Sequence, residues 1–273
     1  MNSWNLIYEN MDRVAFSLFG INVYWYGIAY ALALIVGLGA VKYFIKKDKY
    51  PIDDKLLESF FIYAEIGIIL GARLGYILIY DQNTMYYLTH PWEIFNPFVN
   101  GKFVGISGMS YHGAVVGFIL GTYICAVRNK KSILLLMDSV AVALPLGYIL
   151  GRIGNFLNQE LVGRETNLPI GILVNGKLLH PSQLYEAFLE GLCIFLILYF
   201  TRAKMKFQGE LIGYYMLLYS IARFVVEFFR EADSQMGYFS GISMGQILSI
   251  ITFLISIIFL IVVRKMAIKK AQI

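Results

Sequence analysis

Seven long apolar runs divide this chain, and they constrain its fold more than any other feature. They cover about residues 20–42, 57–80, 104–127, 132–151, 183–200, 211–229 and 244–263. Crossing the hydrocarbon core of a membrane takes ~20 apolar residues as a helix, and backbone groups in lipid must be hydrogen-bonded within the segment. The runs are continuous and show no period of two, which argues against strands. The sequence therefore predicts an all-α polytopic membrane protein with seven transmembrane helices.

Composition supports the same class of protein. Hydrophobic residues make up 58% of the 273 residues and charged residues only 15%, a balance too apolar for a soluble globular domain. We expect a single integral membrane domain over residues 1–273, with longer exoplasmic loops at about 81–103 and 152–182. The first loop is rich in aromatic residues and carries prolines, which is typical of a segment lying in the membrane interface.

Basic residues indicate the orientation of the helices. Fifteen of the 23 lysines and arginines fall in alternate loops or in the tail: Lys42, Lys46, Lys47, Lys49, Lys55, Arg128, Lys130, Lys131, Arg202, Lys204, Lys206, Arg264, Lys265, Lys269 and Lys270. Because cytoplasmic loops carry an excess of Lys and Arg, we expect the N-terminus outside and the C-terminus in the cytoplasm. The net charge of +5 then reflects topology and contact with anionic membrane lipids, and no nucleic-acid partner is expected.

Glycines spaced four residues apart predict close helix packing in three of the runs. These glycines are Gly67, Gly71 and Gly75, then Gly113, Gly117 and Gly121, then Gly147 and Gly151. Pro145 is expected to bend the fourth run, because proline interrupts the helical hydrogen bonds.

Ionisable residues of five runs share one depth in this predicted topology, the outer half of the membrane. They are Arg73, His112, Arg152, Glu186, Glu190, Arg223 and Glu227, with Asn155 beside them and Arg230 a turn beyond. A charge in the hydrocarbon core costs at least ~2.5 kcal/mol on insertion scales, so such residues are functional candidates. We interpret them as the lining of a polar cavity open to the outer leaflet. Glu65 and Asp138 lie deeper and are interpreted as structural pairs or helix-end charges.

Each of these residues also has a structural alternative. Arg223 and Glu227 are four apart, which is typical of an intrahelical ion pair. Arg73 could extend its charge to the outer interface, and His112 could be a buried core histidine. None of these alternatives explains charges of both signs on five helices at one depth.

The residue types suit an anionic lipid headgroup. Arg152 and Arg223, with Arg73 or Arg230 behind them, offer forked donors for a phosphate diester. His112 is the one group able to exchange a proton near neutral pH. Neutral polar contacts are available from Asn155, Asn158, Gln183, Tyr26 and Tyr111. The sequence has no P-loop, dinucleotide-binding fingerprint or metal-ligand spacing, so neither a cofactor nor a metal is expected.

A series of motifs resembles the bacterial prolipoprotein diacylglyceryl transferase family. The most specific is GRIGNFLNQELVGRE at 151–165. The others, in order, are YWYGIAY (24–30), GARLGYILIY (71–80), GMSYHGAVVG (108–117), HPSQLYE (180–186), RFVVEFFRE (223–231) and SMGQILS (243–249). The resemblance implies a multi-pass protein of the bacterial cytoplasmic (inner) membrane, with its active site facing the outer leaflet.

The resemblance also implies a reaction and its partners. A diacylglyceryl group passes from phosphatidylglycerol to the lipobox cysteine in a prolipoprotein signal peptide, and glycerol 1-phosphate is released. Together, the resemblance and the shared depth give the candidate site. Its members are His112, Arg223 and Glu227 as catalytic residues, Arg152, Asn155, Arg73 and Tyr26 for phosphatidylglycerol, and Glu160, Gly163, Gln183, Glu186 and Arg230 in support.

Two other functions are weighed against this one. A phospholipid flippase or transporter uses buried charges to line a path, but here the cytoplasmic half is mostly aliphatic apart from Glu65 and Asp138. An enzyme that transfers phosphatidyl groups between alcohols usually carries paired aspartates for a metal, and the sequence lacks such a pair.

Overall fold

The computed structural model describes residues 3–18, 21–99, 101–103, 108–231, 238–239 and 241–272. Its helices are α1 (Trp25–Lys47), α2 (Asp54–Ile79), α3 (Thr84–Thr89), α4 (Tyr111–Arg128), α5 (Ile133–Ala141), α6 (Leu144–Leu157), α7 (Ser182–Glu186), α8 (Ile194–Thr201), α9 (Glu210–Val226) and α10 (Met244–Ala271). A π-helical segment, Ala187–Cys193, joins α7 to α8, and 3-10 turns cover Pro91–Phe95 and Arg202–Lys204.

Four short antiparallel hairpins accompany the helices of the described chain, one before α1 and three between later helices. They pair β1 (Val14–Leu18) with β2 (Ile21–Tyr24), β3 (Phe98–Val99) with β4 (Lys102–Phe103), β5 (Ile172–Val174) with β6 (Lys177–Leu179), and β7 (Tyr238–Phe239) with β8 (Ile242–Ser243). Helices carry nearly all of the regular structure, so the all-α prediction is confirmed. The sequence did not predict the hairpins, because strands of two to five residues leave no clear signal in hydropathy.

Five helices of the described chain are long and apolar enough to cross a membrane: Trp25–Lys47, Asp54–Ile79, Tyr111–Arg128, Ser182–Lys204 and Met244–Lys269. A sixth span results if α5 and α6 are taken together. The run 211–229 contains α9, whose 17 residues are at the short end of what crosses a core of about 30 Å. The chain is therefore a polytopic membrane protein with five to six candidate spans, and the count of seven and the orientation stay predictions.

Some predicted boundaries shift. Residues 21–24 form β2 rather than the start of α1, because they pair with β1. α6 continues to Leu157, so the second long connection begins at Asn158 and the predicted start at 152 is wrong. Residues 104–107 of the third run lie outside the described residues, and α4 begins at Tyr111.

The chain forms two compact units, Met1–Tyr50 with Asp138–Ile273 as the first and Pro51–Met137 as the second. In the second unit, α2 and α4 are in backbone contact along their glycines. A Cβ atom at Gly117 would overlap the carbonyl of Gly67, and one at Gly71 would overlap the carbonyl of Gly113. This is the close packing that small residues four apart predict.

The fourth apolar run is bent, as its proline predicts. α5 and α6 meet at 52°, and Pro145 lies in the first turn of α6, where a missing N–H is tolerated. The prediction of close packing at Gly147 and Gly151 is wrong. A Cβ at Gly147 would lie an ordinary 3.7 Å from the Ala33 carbonyl oxygen, and one at Gly151 would have no described neighbour within 4 Å.

Asp138 caps the start of α9. Its carboxylate accepts hydrogen bonds from the N–H groups of Gly209 at 2.6 Å and Ile212 at 2.9 Å. A carboxylate satisfies the unpaired donors at a helix N-terminus and complements the positive end of the helix dipole. Asp138 is therefore a helix-end charge, as interpreted from the sequence, and it fixes the beginning of the helix that carries Arg223.

The first unit brings the site-bearing elements together. α6 packs against α1, α7 and the π-helical segment, and α9 packs against that segment and α10. Tyr8 of the N-terminal segment, Phe156 of α6 and Ile172 of β5 form a buried cluster. This packing places the ends of α6, α7 and α9 next to one another.

Candidate active site

The site is built around one buried carboxylate. Glu186 ends α7 and has no exposed surface. The guanidinium groups of three arginines contact it, Arg152 at 2.8 Å, Arg223 at 3.3 Å and Arg230 at 3.6 Å. These arginines come from α6, α9 and the residues after α9. The structure thus brings four of the predicted site residues together, the three arginines and Glu186 between them.

Arg223 is bound by more than its own helix. Its Nη2 lies 3.1 Å from Glu227, one turn further along the chain. Its Nη1 contacts Glu186 and also lies 3.6 Å from Glu190 in the π-helical segment. An intrahelical ion pair therefore does not account for Arg223, which links α9 to carboxylates on another element.

Glu227 is held from α10 as well. The Ser243 hydroxyl donates to Oε1 of Glu227 at 3.1 Å, while the same serine caps α10 in a capping box with Gln246. A Cβ atom at Gly245 would overlap the Glu227 carboxylate, so glycine at that position leaves room for the carboxylate. Arg230 approaches with its Nε 3.8 Å from Oε2. These contacts fix the carboxylate that orients Arg223.

Tyr148 joins the buried carboxylates of Glu186 and Glu190, and the sequence did not single it out. Its hydroxyl donates to Glu186 at 3.2 Å and to Glu190. The Arg152 guanidinium lies over its ring, 4.8 Å from the centroid. The available signal was spacing, because residues four apart lie on one helix face and Tyr148 precedes Arg152 by four.

The turn after α6 carries a second polar group. Asn155 donates to one oxygen of Glu160 at 2.6 Å, and Asn158 donates to the other at 2.9 Å. Asn155 in turn accepts from Nη1 of Arg152 at 3.3 Å. Glu160 therefore orients Asn155, and Asn155 supports the guanidinium of Arg152.

Gln183 supports the same turn from α7. It is fully buried, and its Nε2 donates to the backbone carbonyl of Glu160 and to the Tyr8 hydroxyl, the latter at 3.3 Å. Its donors are engaged within the protein, so it acts on the turn rather than on a lipid hydroxyl.

Gly163 lies where three stretches of backbone meet. Its N–H donates to the His180 carbonyl at 2.8 Å, and it forms a β-bridge with Arg230. A Cβ atom here would overlap the Phe229 carbonyl and lie 2.9 Å from Cβ of His180. Only glycine fits between these backbone segments, and this steric constraint explains the glycine at this position of the motif.

Arg164, the second arginine of the motif, was not among the predicted site residues. Its Nε donates to the Arg230 carbonyl at 2.6 Å, and its Nη2 donates to the Glu227 carbonyl at 3.1 Å. It therefore fastens the motif to the end of α9. Nearby, burial lowers the pKa of the His180 imidazole, which favours its neutral form.

The cluster has an accessible cationic side and a buried anionic side. The side chains of Arg152 and Arg223 are each 18% exposed, whereas Glu186 and Glu190 have none of their side-chain surface exposed. Burying charges is costly unless they are paired and hydrogen-bonded. A guanidinium also carries more N–H donors than one carboxylate can take. Rigid, partly exposed forks of this kind suit a phosphate diester.

Tyr26 lies in the first turn of α1 and is partly exposed. Helices α1 and α6 approach each other at Gly154 of α6, where an added Cβ atom would lie 3.5 Å from the Tyr26 ring and 2.9 Å from the Ala29 side chain. Tyr26 therefore packs against α6 at Gly154, and its predicted contact with phosphatidylglycerol stays a prediction.

Arg73 belongs to the second unit and is buried there. Its Nε donates to the Ile94 carbonyl at 2.5 Å and its Nη1 donates to the Gly108 carbonyl at 3.3 Å. The guanidinium also lies over the rings of Tyr76 and Tyr87, at 5.9 Å and 5.4 Å. These contacts hold the buried guanidinium within the second unit, and one of them reaches the connection at about 81–103. The predicted contact with lipid stays a prediction.

His112 also belongs to the second unit. It is the second residue of α4, its side chain is exposed, and its ring meets that of Tyr111 edge-on at 5.8 Å. The alternative of a buried core histidine is therefore wrong. Its role as a base stays a prediction.

Comparison with known proteins identifies the family. Residues 13–262 match the model of the family described as prolipoprotein diacylglyceryl transferase. Three similar proteins are named phosphatidylglycerol–prolipoprotein diacylglyceryl transferase. The protein from Campylobacter hominis is 61% identical over 251 residues, 92% of this chain and 90% of the relative. The Campylobacter lari protein is 58% identical over 258 residues, 94% and 95%, and the Campylobacter jejuni subsp. jejuni protein is 56% identical over 265 residues, 97% and 98%.

The matched region contains every predicted site residue, from Tyr26 to Arg230. The relatives share more than half of their residues with this chain over nearly its whole length. The chain therefore belongs to the prolipoprotein diacylglyceryl transferase family, and it is a multi-pass membrane transferase.

Proposed function

We propose that this protein transfers the diacylglyceryl group of phosphatidylglycerol to the lipobox cysteine of prolipoproteins, at the cluster built on Glu186. The observation that carries the proposal is the convergence of Arg152, Arg223 and Arg230 on that one buried carboxylate. Forked donors held rigid before a ligand arrives are what selective binding of a phosphate diester requires. Family membership supplies the reaction class, and the relatives' name supplies the two substrates.

The reaction forms one bond and breaks one. The cysteine sulfur attacks the glyceryl carbon that bears the phosphate, so a carbon–sulfur bond forms as the carbon–oxygen bond breaks. Glycerol 1-phosphate leaves with the negative charge, and the thiol proton passes to a base. We assign Arg152 and Arg223 to binding the phosphate and stabilising the charge as it develops. Glu186 and Glu227 keep the two guanidinium groups in that orientation.

His112 is our candidate for the base. A cysteine thiol has an ordinary pKa near 8.5, so most of it is protonated at neutral pH. Because the thiolate is the nucleophile, a base must remove this proton before the sulfur attacks. An imidazole titrates closer to neutral pH than any other side chain. We expect His112→Gln to lose most turnover near neutral pH and to recover some at higher pH, where the thiol ionises unaided. A wild-type pH profile of kcat in this variant would contradict the assignment.

The remaining predicted residues have supporting parts in this proposal. Asn155, Tyr26 and Arg73 are proposed contacts of the phosphatidylglycerol headgroup. The residues proposed to hold the site in shape are Glu160, Gly163, Gln183, Glu186 and Arg230. The contacts of these five residues within the protein, described above, support the second of these roles.

We also propose seven crossings with the N-terminus outside and the cluster facing the outer leaflet. The basic loops support this orientation, and so does the acceptor, because a translocated signal peptide presents its cysteine on the outer side. In this arrangement α9 is the additional crossing. Surrounding anionic lipid headgroups then contact the cytoplasmic lysines and arginines.

The proposal is tested with purified protein in vesicles that contain phosphatidylglycerol, incubated with a lipobox peptide. We expect a thioether-linked diacylglyceryl peptide by mass spectrometry and an equal amount of glycerol 1-phosphate. Vesicles of phosphatidylethanolamine alone, and a peptide with serine in place of the lipobox cysteine, are the controls and should give neither product. Movement of fluorescent phosphatidylglycerol between leaflets without any thioether would support a flippase and overturn the proposal.

A further inference from the structure

The N-terminal segment, residues 4–13, makes contacts that the reaction described above does not use. It lies against the connection between α6 and α7, far along the chain. The Trp4 indole N–H donates to the Ile170 carbonyl at 2.8 Å, and the Asn5 amide donates to the Gly171 carbonyl at 2.6 Å. Asn5 is only 5% exposed. These bonds anchor the beginning of the segment to the connection.

The signature turn, residues 158–161, has an unusual backbone. Gln159 and Leu161 both have a φ of +58°, in the left-handed region that residues with a side chain rarely adopt. Glu160 lies between them, with its carboxylate bound by two asparagine side chains. Backbone strain of this kind persists only where the surroundings hold it in place, and it is concentrated at functional sites.

The N-terminal segment binds the strained residue directly. Nε2 of Gln159 donates to the Tyr8 carbonyl at 3.2 Å and to the Met11 carbonyl at 2.7 Å. Its Oε1 faces the guanidinium of Arg13, at 3.4 Å from Nε. Both ends of the Gln159 amide are therefore engaged by the N-terminal segment.

A second path reaches the same turn through Tyr8. The phenol packs on Phe156, the last residue but one of α6, with ring centroids 5.3 Å apart. Its hydroxyl accepts from Gln183, whose amide also donates to the Glu160 carbonyl. Burial raises the pKa of the Tyr8 hydroxyl, which favours its neutral, hydrogen-bonding form.

We propose that the N-terminal segment holds the signature turn in its left-handed conformation, with Gln159 as a positioning residue for the transferase reaction. The turn fixes Glu160, Glu160 fixes Asn155, and Asn155 supports the guanidinium of Arg152. This inference rests on the proposed function, in which Arg152 binds the phosphate.

Two substitutions of one residue test the proposal. Gln159→Met keeps the length of the side chain but removes both amide donors, so the strained backbone loses its support. We expect kcat/KM for phosphatidylglycerol to fall about tenfold or more, as misplaced binding groups do, while KM for the peptide stays unchanged. Gln159→Gly loses the same donors, but glycine adopts a positive φ without strain, so it should stay within about threefold of wild type.

Further comparisons separate positioning from folding. Asn10→Ala is the control, because the Asn10 amide donates to the Leu6 carbonyl within the segment at 3.0 Å, and it should match wild type. Gln159→Met should cause no further loss in a Glu160→Ala background, since interacting residues are not additive. If Gln159→Met does not fold, Gln159→Glu replaces it, with the same length and likewise no N–H donor.

The outcomes are distinct. Wild-type kcat/KM in Gln159→Met, equal losses in the methionine and glycine variants, or additive losses in the Glu160→Ala background would each overturn the positioning role alone. Wild-type protein that forms no thioether would overturn the proposed function, and the positioning role with it.

Discussion

Burial and pairing act together at Glu186. A carboxylate with no exposed surface is unstable in apolar surroundings unless opposite charges offset the loss of hydration. Three guanidinium groups and the Tyr148 hydroxyl provide that compensation here. The same contacts orient the arginines, so a single residue contributes to stability and to the geometry of the site.

Neutralising Glu186 should therefore damage both properties. In Glu186→Gln, three arginines lose their shared partner, and breaking a buried ion pair costs about 3 kcal/mol. We expect a lower unfolding temperature in detergent and a large loss of thioether formation. Glu165→Gln is the matched control, because the Glu165–Lys177 pair is exposed and such pairs contribute little. Wild-type stability and turnover in Glu186→Gln would show that the cluster is not organised by this carboxylate.

The shape of the Arg152 side chain should matter as well as its charge. Arg152→Lys keeps the positive charge but cannot form a fork or stack on Tyr148 in the same way. We expect kcat/KM for phosphatidylglycerol to drop by about tenfold or more. Arg128→Lys, at the exposed end of α4, should leave the rate unchanged. Full activity in Arg152→Lys would remove this residue from phosphate binding.

Most charged site residues were predictable from the sequence, whereas the hydroxyl groups of Tyr148 and Ser243 were not. Arg152, Arg223 and Glu227 stand out because ionisable groups are rare in apolar runs. Tyr148 and Ser243 carry neutral hydroxyl groups, which cause no break in hydropathy, so only the packing of α6 against α7 and of α9 against α10 reveals their carboxylate partners.

Among the elements, hydropathy predicted most of the helices, but not their exact boundaries or hydrogen-bond pattern, which depend on contacts. The run 183–200 gave no sign of the π-helical segment Ala187–Cys193, because apolarity does not report hydrogen-bond register. The start of α1 and the end of α6 moved for a similar reason. Strand pairing decided where α1 begins, and the turn at residues 158–161 decided where α6 ends. Neither leaves a clear signal in hydropathy.

Glycine contacts between α2 and α4 were predictable, and they should be sensitive to a single methyl group. In Gly117→Ala the added Cβ would overlap the Gly67 carbonyl, so the helices must separate at a cost of about 1–3 kcal/mol. Gly37→Ala on α1 is the control, because nothing described lies within 4 Å of its Cβ position. We expect a lower unfolding temperature for Gly117→Ala only. Equal unfolding temperatures in both variants would contradict the close packing.

For the whole molecule, the property to test is the orientation in the membrane, which we predict from the basic loops. The test uses a variant with Cys125 and Cys193 replaced by alanine and one new cysteine at a time. We expect a membrane-impermeant maleimide on intact spheroplasts to label Lys177→Cys, on the β5–β6 hairpin, and to spare Lys130→Cys, after α4. Labelling of Lys130→Cys alone would reverse the topology.

The most direct test of the cluster as a lipid site is a cryo-electron microscopy structure of the protein in a nanodisc of phosphatidylglycerol. We predict density for one headgroup with its phosphate about 3 Å from guanidinium nitrogens of both Arg152 and Arg223, while both arginines still contact Glu186. A phosphate bound elsewhere, with the cluster intact and unoccupied, would contradict the account.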